Sequence, residues 1–256
     1  MTKEKILEII NNEGVKYIKL QFSDIDGITK AVEVPISQID SVLDNEVMFD
    51  GSSIQGLVRI YESDMFLAPD LNSFRIIPWE TSYDGSKVAF FICDILDVHK
   101  NPFEGDPRLI LKKQIKKMEE MGFAKFNIGL EPEFFLFDKF NPNKVEVKLT
   151  DNDGYFDFSP NNTSARCRRD IVLNLEQMGF EIEASHHEVS ESQHEINFKY
   201  DSAVECCDRV QIFKGAVKTI AEQHNMSATF MPKPIFGVNG SGEYEMLFTK
   251  NTYTWN

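Results

Sequence analysis

Hydrophobic positions along the chain fall alternately into helical and strand periods. Residues 2–12 place Ile6, Leu7, Ile9 and Ile10 on one side of a helical repeat, which predicts a short amphipathic helix. Residues 15–22 alternate instead, with Ile18, Leu20 and Phe22 on one face of a strand. Asp24-Ile25-Asp26-Gly27 supplies turn chemistry, and residues 28–34 return as a second strand. A helix is expected over 35–43, a polar loop at Asp50-Gly51-Ser52-Ser53, and strands over 74–77 and 87–95. Together these predict a small α+β unit rich in hairpins.

The pattern breaks at His99-Lys100-Asn101-Pro102-Phe103-Glu104-Gly105-Asp106-Pro107, a linker by composition. Asp106 as N-cap and Pro107 at the first helical position then open a helix to about Met121, stopped by Gly122. Strands follow at 125–137 and near 144–149, then a loop over 151–164 and a helix over 165–178 ended by Gly179. Strands at 180–188 and 193–200, a helix over 201–224 and a strand over 226–231 complete the series. The expected division is residues 1–102 and 103–256, without repeats or low-complexity segments.

Composition narrows the function classes. Hydrophobic residues make up 42% of the 256 positions and include 21 phenylalanines, enough for a substantial core. A formal net charge of −14 argues against a nucleic-acid partner, because phosphate binding needs a basic surface. It suits a protein that holds cations with carboxylates. The four cysteines, Cys93, Cys167, Cys206 and Cys207, show neither zinc nor redox spacing and read as reduced thiols of a cytoplasmic protein. The charged N-terminus leads into a helix rather than an apolar signal region, and no apolar run approaches the length of a membrane span.

The chemistry lies in two acidic clusters. In Gly129-Leu130-Glu131-Pro132-Glu133-Phe134-Phe135-Leu136, a strand puts Glu131 and Glu133 on one face and Leu130, Phe134 and Leu136 on the other. Neighbouring carboxylates repel unless a cation or water intervenes, and a divalent metal is the obvious candidate. The second cluster is Glu183-Ala184-Ser185-His186-His187-Glu188 followed by Gln193-His194-Glu195-Ile196-Asn197-Phe198, two strands joined by a tight turn at 189–192. That hairpin brings Glu188 and Glu195 together, while His186 and His187 alternate, so that at most one of them joins the carboxylates. Oxygen-rich sets of this kind suit Mg²⁺ or Mn²⁺ rather than zinc. A Glu-x-Glu pair alone is more often a solvated face; the two clusters together shift the reading toward a metal. Asn239-Gly240-Ser241-Gly242 adds a loop whose backbone N–H groups could hold a carboxylate or phosphate, although glycine loops are more often plain turns.

Six motifs in order carry a family resemblance: Asp50-Gly51-Ser52-Ser53, Gly129-Leu130-Glu131-Pro132-Glu133, Cys167-Arg168-Arg169-Asp170, Ser185-His186-His187-Glu188, Gln193-His194-Glu195, and Lys233-Pro234-Ile235-Phe236-Gly237-Val238-Asn239-Gly240-Ser241-Gly242. From about residue 4 to Gly242 the chain resembles bacterial type I glutamine synthetases, most of all those of low-GC Gram-positive bacteria. The resemblance implies a β-grasp domain followed by a catalytic α/β domain with a curved antiparallel sheet. It implies a homododecamer of two stacked hexameric rings with active sites between neighbouring subunits. It also implies glutamine formation from glutamate, ammonium and ATP through γ-glutamyl phosphate, with two divalent metals.

Carried over by motif, Glu133, Glu188 and Glu195 would hold the first metal and Glu131 would be one ligand of the second. Glu183 and Phe198-Lys199-Tyr200 match nucleotide-contacting positions, and Asn239 and Gly240 match the glutamate-binding loop. Asp50, with Ser53 nearby, resembles the residue that reaches into the adjacent subunit to bind and deprotonate ammonium.

The chain also departs from that pattern. The family places Met-His-Cys after Gly-Ser-Gly, its His being a further ligand of the second metal; here Tyr244 stands in that position. Residues 243–256 are divergent, Ser190-Glu191-Ser192 differs from the usual turn, and family members continue into further motifs. The expectation is the first part of the catalytic domain, with one metal site complete in sequence, a second one damaged, and apolar sheet surface with an open edge left exposed. The alternative is a catalytically impaired fragment that binds metal or intact synthetase subunits.

Overall fold

The computed structural model describes residues 1–54, 63–139, 148–159 and 162–251, with residues 243–251 described by their backbone alone. The chain divides into two compact units, Met1–Glu120 and Met121–Asn256.

In the first unit α1 (Lys3–Glu13) begins where the Thr2 hydroxyl accepts the Lys5 N–H and ends at Gly14, whose φ of +69° closes the helix in a left-handed cap. Its Ile6 and Ile10 join the core formed with Ile18, Leu20, Leu67 and Phe91. The sheet runs β2 (Thr29–Pro35), β1 (Val15–Ser23), β6 (Lys87–Leu96), β4 (Asp64–Pro69), β3 (Met48–Asp50), and β5 (Arg75–Thr81) also pairs with β6. β1 and β6 are parallel and the other pairings antiparallel, the mixed sheet of a β-grasp unit. The turn between β1 and β2 is fastened by buried Asp24, which accepts the Asp26 and Ile28 N–H groups at 3.0 and 2.8 Å and pairs with Lys30 at 3.1 Å.

Two local expectations change. The helix expected over 35–43 is split: Pro35 stays extended, residues 36–38 make a 3₁₀ turn, and only α2 (Ile39–Leu43) is α-helical. The strands β3 and β4 were not expected, because three residues are too short to display a period of two and Asp64–Pro69 is a mostly apolar run without polar alternation.

Buried Asp106 opens α3 (Pro107–Glu120). One carboxylate oxygen accepts the Arg108 N–H at 2.9 Å, and the other accepts the Ile95 N–H of β6 at 3.1 Å. A single side chain thus starts the helix and ties it to the sheet.

The second unit is organised along β7 (Phe123–Asp138). After it come α4 (Thr163–Gln177), β8 (Ile182–His187), β9 (Gln193–Phe198), β10 (Asp201–Ser202), α5 (Ala203–Gln223), β11 (Met226–Thr229) and β12 (Glu243–Asn251). The sheet has the order β10-β7-β9-β8, β11 and β12 also pair with β7, and every pairing among the described residues is antiparallel. Ile128 pairs with Asp201 on one side and Leu247 on the other; Phe135 likewise pairs with Gln193 and Thr229. The Asn162 side chain caps α4 by accepting the Ser164 and Ala165 N–H groups. Phe134, Phe198 and Phe213 pack together in the core, with ring centroids 5.7 to 6.1 Å apart along the chain of contacts.

Of the strand expected near 144–149, residues 144–147 lie outside the described residues, and Leu149 bridges to Phe137. β12 was not expected at all; it pairs with β7 from Pro132 back to Phe123. Cys93, Cys167 and Cys206 are buried and Cys207 is exposed, all as free thiols. Among the described residues no helix is long and apolar enough to cross a membrane.

Replacing Asp106 by Ala is expected to lower stability by about 1–3 kcal/mol, because the Ile95 N–H then stays buried without its acceptor. Urea denaturation of the full chain reads the change.

Candidate metal site

Strand register assembles the site. Glu133 on β7 pairs with Glu195 on β9, which pairs with His186 on β8; the next row is Phe134, His194 and His187. Side chains alternate, so the first row projects from one face of the sheet and the second from the other. Glu188, two residues past His186, returns to the first face, and its N–H donates to the Gln193 carbonyl at 2.8 Å to close the hairpin.

On that face Glu188 and Glu195 are only 8% and 7% exposed, so their charges are poorly solvated. Burial, a hydrogen bond with the Glu188 carboxyl and the charges of Glu188 and Glu133 push Glu195 up to about 8. Glu133 is raised too, by burial and by the Glu188 and Glu131 charges, against a lowering hydrogen bond from Gly242. Among the described residues no Lys or Arg pairs with Glu133, Glu188 or Glu195. His186 stands beside two of them, its Nδ1 3.3 Å from Glu188 and its Nε2 3.6 Å from Glu195. Ligand atoms of His186, Glu188 and Glu195 lie within 4.8 Å of one another. Surplus carboxylate oxygen with no fixed counter-charge is the donor set that a divalent cation fits.

The rest of the face holds these carboxylates in place. Gln193 Nε2 donates to Glu133 Oε2 at 2.6 Å and to the Gly240 carbonyl at 3.0 Å, and Asn197 Nδ2 donates to Glu195 Oε1 at 2.7 Å. The glycine loop comes in close: the Gly242 N–H donates to Glu133 Oε2 at 3.0 Å, and Ser190 Oγ donates to the Asn239 carbonyl at 3.0 Å. A Cβ on Gly240 would stand 2.3 Å from the Pro232 carbonyl oxygen, so only glycine fits there. A cleft of about 200 Å³ opens beside Glu133, between Lys214, Phe230 and the Ser241-Gly242 end of this loop. Glu131 adds its charge near Glu133, and its backbone is in register with Tyr244 of β12.

The other residues singled out by sequence are spread along the elements. Glu183 is exposed on β8, Lys199 pairs with Glu181 at 2.6 Å, and Tyr200 is half exposed. Phe198 faces the core against Phe180 and Phe213, which leaves only its backbone for a ligand. In the first unit Asp50 caps a 3₁₀ turn at residues 51–53; it accepts the Ser52 hydroxyl at 2.6 Å, the Ser52 N–H at 2.9 Å and the Ser53 hydroxyl at 3.5 Å. Those bonds hold its carboxyl below the usual range, so it is an anion at neutral pH.

Sequence reasoning missed Asp151 and its partners on the opposite face. His187 Nε2 lies 2.9 Å from Asp151 Oδ1, and His194 Nδ1 lies 2.8 Å from Arg168 Nη1. The available signal was the same alternation that collects the glutamates: His187 and His194 occupy the intervening positions. Burial works against ionisation of Asp151, but hydrogen bonds from His187, Ser164 and Ser192 prevail and hold it well below the ordinary carboxylate range.

Comparison with known proteins bears on this geometry. The family model for the glutamine synthetase catalytic domain matches residues 104–245, and that for the glutamine synthetase β-grasp domain matches residues 14–98. Glutamine synthetases of Staphylococcus aureus and Staphylococcus epidermidis are each 58% identical over 241 residues, which is 94% of this chain and 54% of theirs. The chain thus spans about half the length of the curated relatives it matches. The electron cryomicroscopy structure of Plasmodium falciparum glutamine synthetase superposes with a TM-score of 0.86 at 27% identity, covering 98% of this chain and 54% of that one. A complex of GmaS with ADP superposes with a TM-score of 0.81 at 25% identity, covering 96% and 55%. With one domain model covering more than half of its residues and a second matching the β-grasp unit, the chain belongs to the glutamine synthetase family.

Proposed function

We propose that this chain carries the β-grasp domain (1–102) and the first part of the catalytic domain (103–256) of a cytoplasmic glutamate–ammonia ligase, and that Glu133, Glu188 and Glu195 hold one divalent ion, Mg²⁺ or Mn²⁺. The observation that carries the reading is the convergence of partly buried Glu133 with buried Glu188 and Glu195, none of which makes an ion pair with a lysine or arginine among the described residues. When bound, the ion supplies positive charge beside the reacting anions, the main requirement of phosphoryl transfer to a carboxylate. Glutamate, ammonium and ATP are the proposed substrates. Asn239 and Gly240 line the glutamate end, Glu183 and the 198–200 segment take the nucleotide, and Asp50, with Ser53 beside it, serves ammonium in a neighbouring subunit of a two-ring dodecamer. Asp50 suits that role because its side chain is exposed and already ionised.

Glu131 is proposed as a ligand of a second ion, but Tyr244 in register beside it replaces the family's histidine. That substitution favours a second reading, a catalytically impaired chain that binds one ion and docks on intact synthetase subunits. Phosphate release that requires glutamate, ATP, Mg²⁺ and ammonium together is expected of the ligase. Co-assembly with an intact subunit, with no turnover, is the signature of the impaired chain. Asp50→Ala with unchanged ammonia-dependent turnover would rule out the ammonium role.

Mn²⁺ titration is expected to show one tight site, weakened on the order of tenfold or more by Glu188→Gln. Two tight, equivalent sites would contradict the damaged second set.

Stability should depend on pH in a defined direction. Glu195 holds its proton more tightly when folded, so its contribution is complete below the ordinary value of 4.5 and is lost as pH rises toward about 8. His187, also raised despite its burial by its bond to Asp151, acts in the same sense, whereas His194, held well below its ordinary value by burial, opposes them below about pH 6.5. The urea midpoint of the metal-free chain is therefore expected to be lower at about pH 8.5 than at about pH 5, and Mn²⁺ should narrow the gap.

A further inference from the structure

On the face of the sheet away from the glutamates, Asp151, His187 and His194 bring their ligand atoms within 4.8 Å of one another, and His194 Nε2 is buried without a hydrogen-bond partner. By composition this is a second metal cluster. Its hydrogen bonds exclude one. His187 Nδ1 lies 2.7 Å from the Glu188 carbonyl and Nε2 lies 2.9 Å from Asp151 Oδ1. Both neighbours only accept, so both ring nitrogens carry protons and neither has a lone pair to give. His194 Nδ1 faces a guanidinium, which only donates; Nδ1 therefore accepts and the ring proton sits on Nε2. The cluster is a hydrogen-bonded ion pair, with His194 Nε2 3.9 Å from Asp151 Oδ2.

Asp151 is its hub. Besides His187, Oδ1 accepts the Ser192 N–H at 2.8 Å, and Oδ2 accepts the Ser164 hydroxyl at 2.7 Å and Asn162 Nδ2 at 3.2 Å. Two of these donors flank the hairpin turn. His187 is the last residue of β8, directly before Glu188, and its other ring nitrogen holds the Glu188 carbonyl. Ser192 immediately precedes β9, has a left-handed φ of +63°, and is further held by its hydroxyl, which accepts the Thr150 N–H at 2.8 Å.

We propose that Asp151 is the positioning residue of the metal site: by gripping both ends of the 188–192 turn it holds Glu188 against Glu195 in spite of their repulsion. It does so from the opposite face, without touching the ion. This rests on the reading of Glu133, Glu188 and Glu195 as ion ligands.

The test is Mn²⁺ binding to the full chain, followed by electron paramagnetic resonance, with near-UV circular dichroism as the check on folding. Asp151→Asn leaves every proposed ligand in place. It is expected to weaken Mn²⁺ binding on the order of tenfold and to broaden the bound spectrum. Ser164→Ala, which removes one donor to Asp151, should weaken binding by about two- to threefold. A role in stability alone would lower the thermal midpoint and leave the affinity and spectrum of the folded chain unchanged; that result overturns the proposal. Should Asp151→Asn fail to fold, Ser164→Ala decides, and an unchanged Mn²⁺ affinity there overturns it equally. If the unaltered chain shows no Mn²⁺ site that Glu188→Gln weakens, the ion reading falls and the positioning role with it. A site weakened in Glu188→Gln but indifferent to both other variants removes the positioning role alone.

Discussion

Glu133, Glu188 and Glu195 gather carboxylates onto one face of a sheet, two of them buried and the third partly so, and repulsion there is stronger than in bulk water. Left to themselves such groups separate or take up protons. The second unit opposes both outcomes with backbone. Antiparallel ladders fix Glu133 opposite Glu195, and the hairpin carries Glu188 back over it. Each ladder is cooperative with a core of phenylalanines beneath, so moving one carboxylate away means disturbing a strand. Burial first, then the hydrogen bond with Glu188, and only then the charges of Glu188 and Glu133 raise the affinity of Glu195 for its proton. A cation in place of that proton would relieve the repulsion between the carboxylates, so a rigid frame suits the proposed ion.

The two faces of the sheet divide the labour. One gathers anions and leaves them short of partners; the other pairs Asp151 with an imidazolium and supplies Arg168 to His194. Alternation makes this separation possible, since adjacent residues in one strand serve opposite purposes. His186 and His187 are neighbours in sequence, yet one stands by Glu188 and Glu195 while the other is fastened to Asp151.

Periodicity made much of this legible. Long elements such as α1, α3, β7 and α5 display their apolar faces over enough residues to be recognised, and the motif set located the carboxylates. Short strands and the 3₁₀ turn after Pro35 escaped because they are set by tertiary pairing rather than by their own pattern. Asp151 escaped for a different reason: its partners come from α4, its N-cap and the hairpin, all distant in sequence. The role of Phe198 depended on which way its ring turns, and strand alternation puts it in the core.

β12 runs past residue 245, where the catalytic-domain match ends, and yet its ladder with β7 continues without a shift to Lys250. A ladder of this kind is made by main-chain groups that every non-proline residue possesses. The edge of β7 beside Glu131 therefore behaves as a template that reads direction and length and is nearly blind to side-chain identity. A strand of unrelated sequence can cap the sheet there and shield it from a neighbouring molecule, while carrying none of the chemistry that the capped position is used for elsewhere in the family. Architecture and catalytic competence can part company at this edge, one surviving a change of sequence that the other does not.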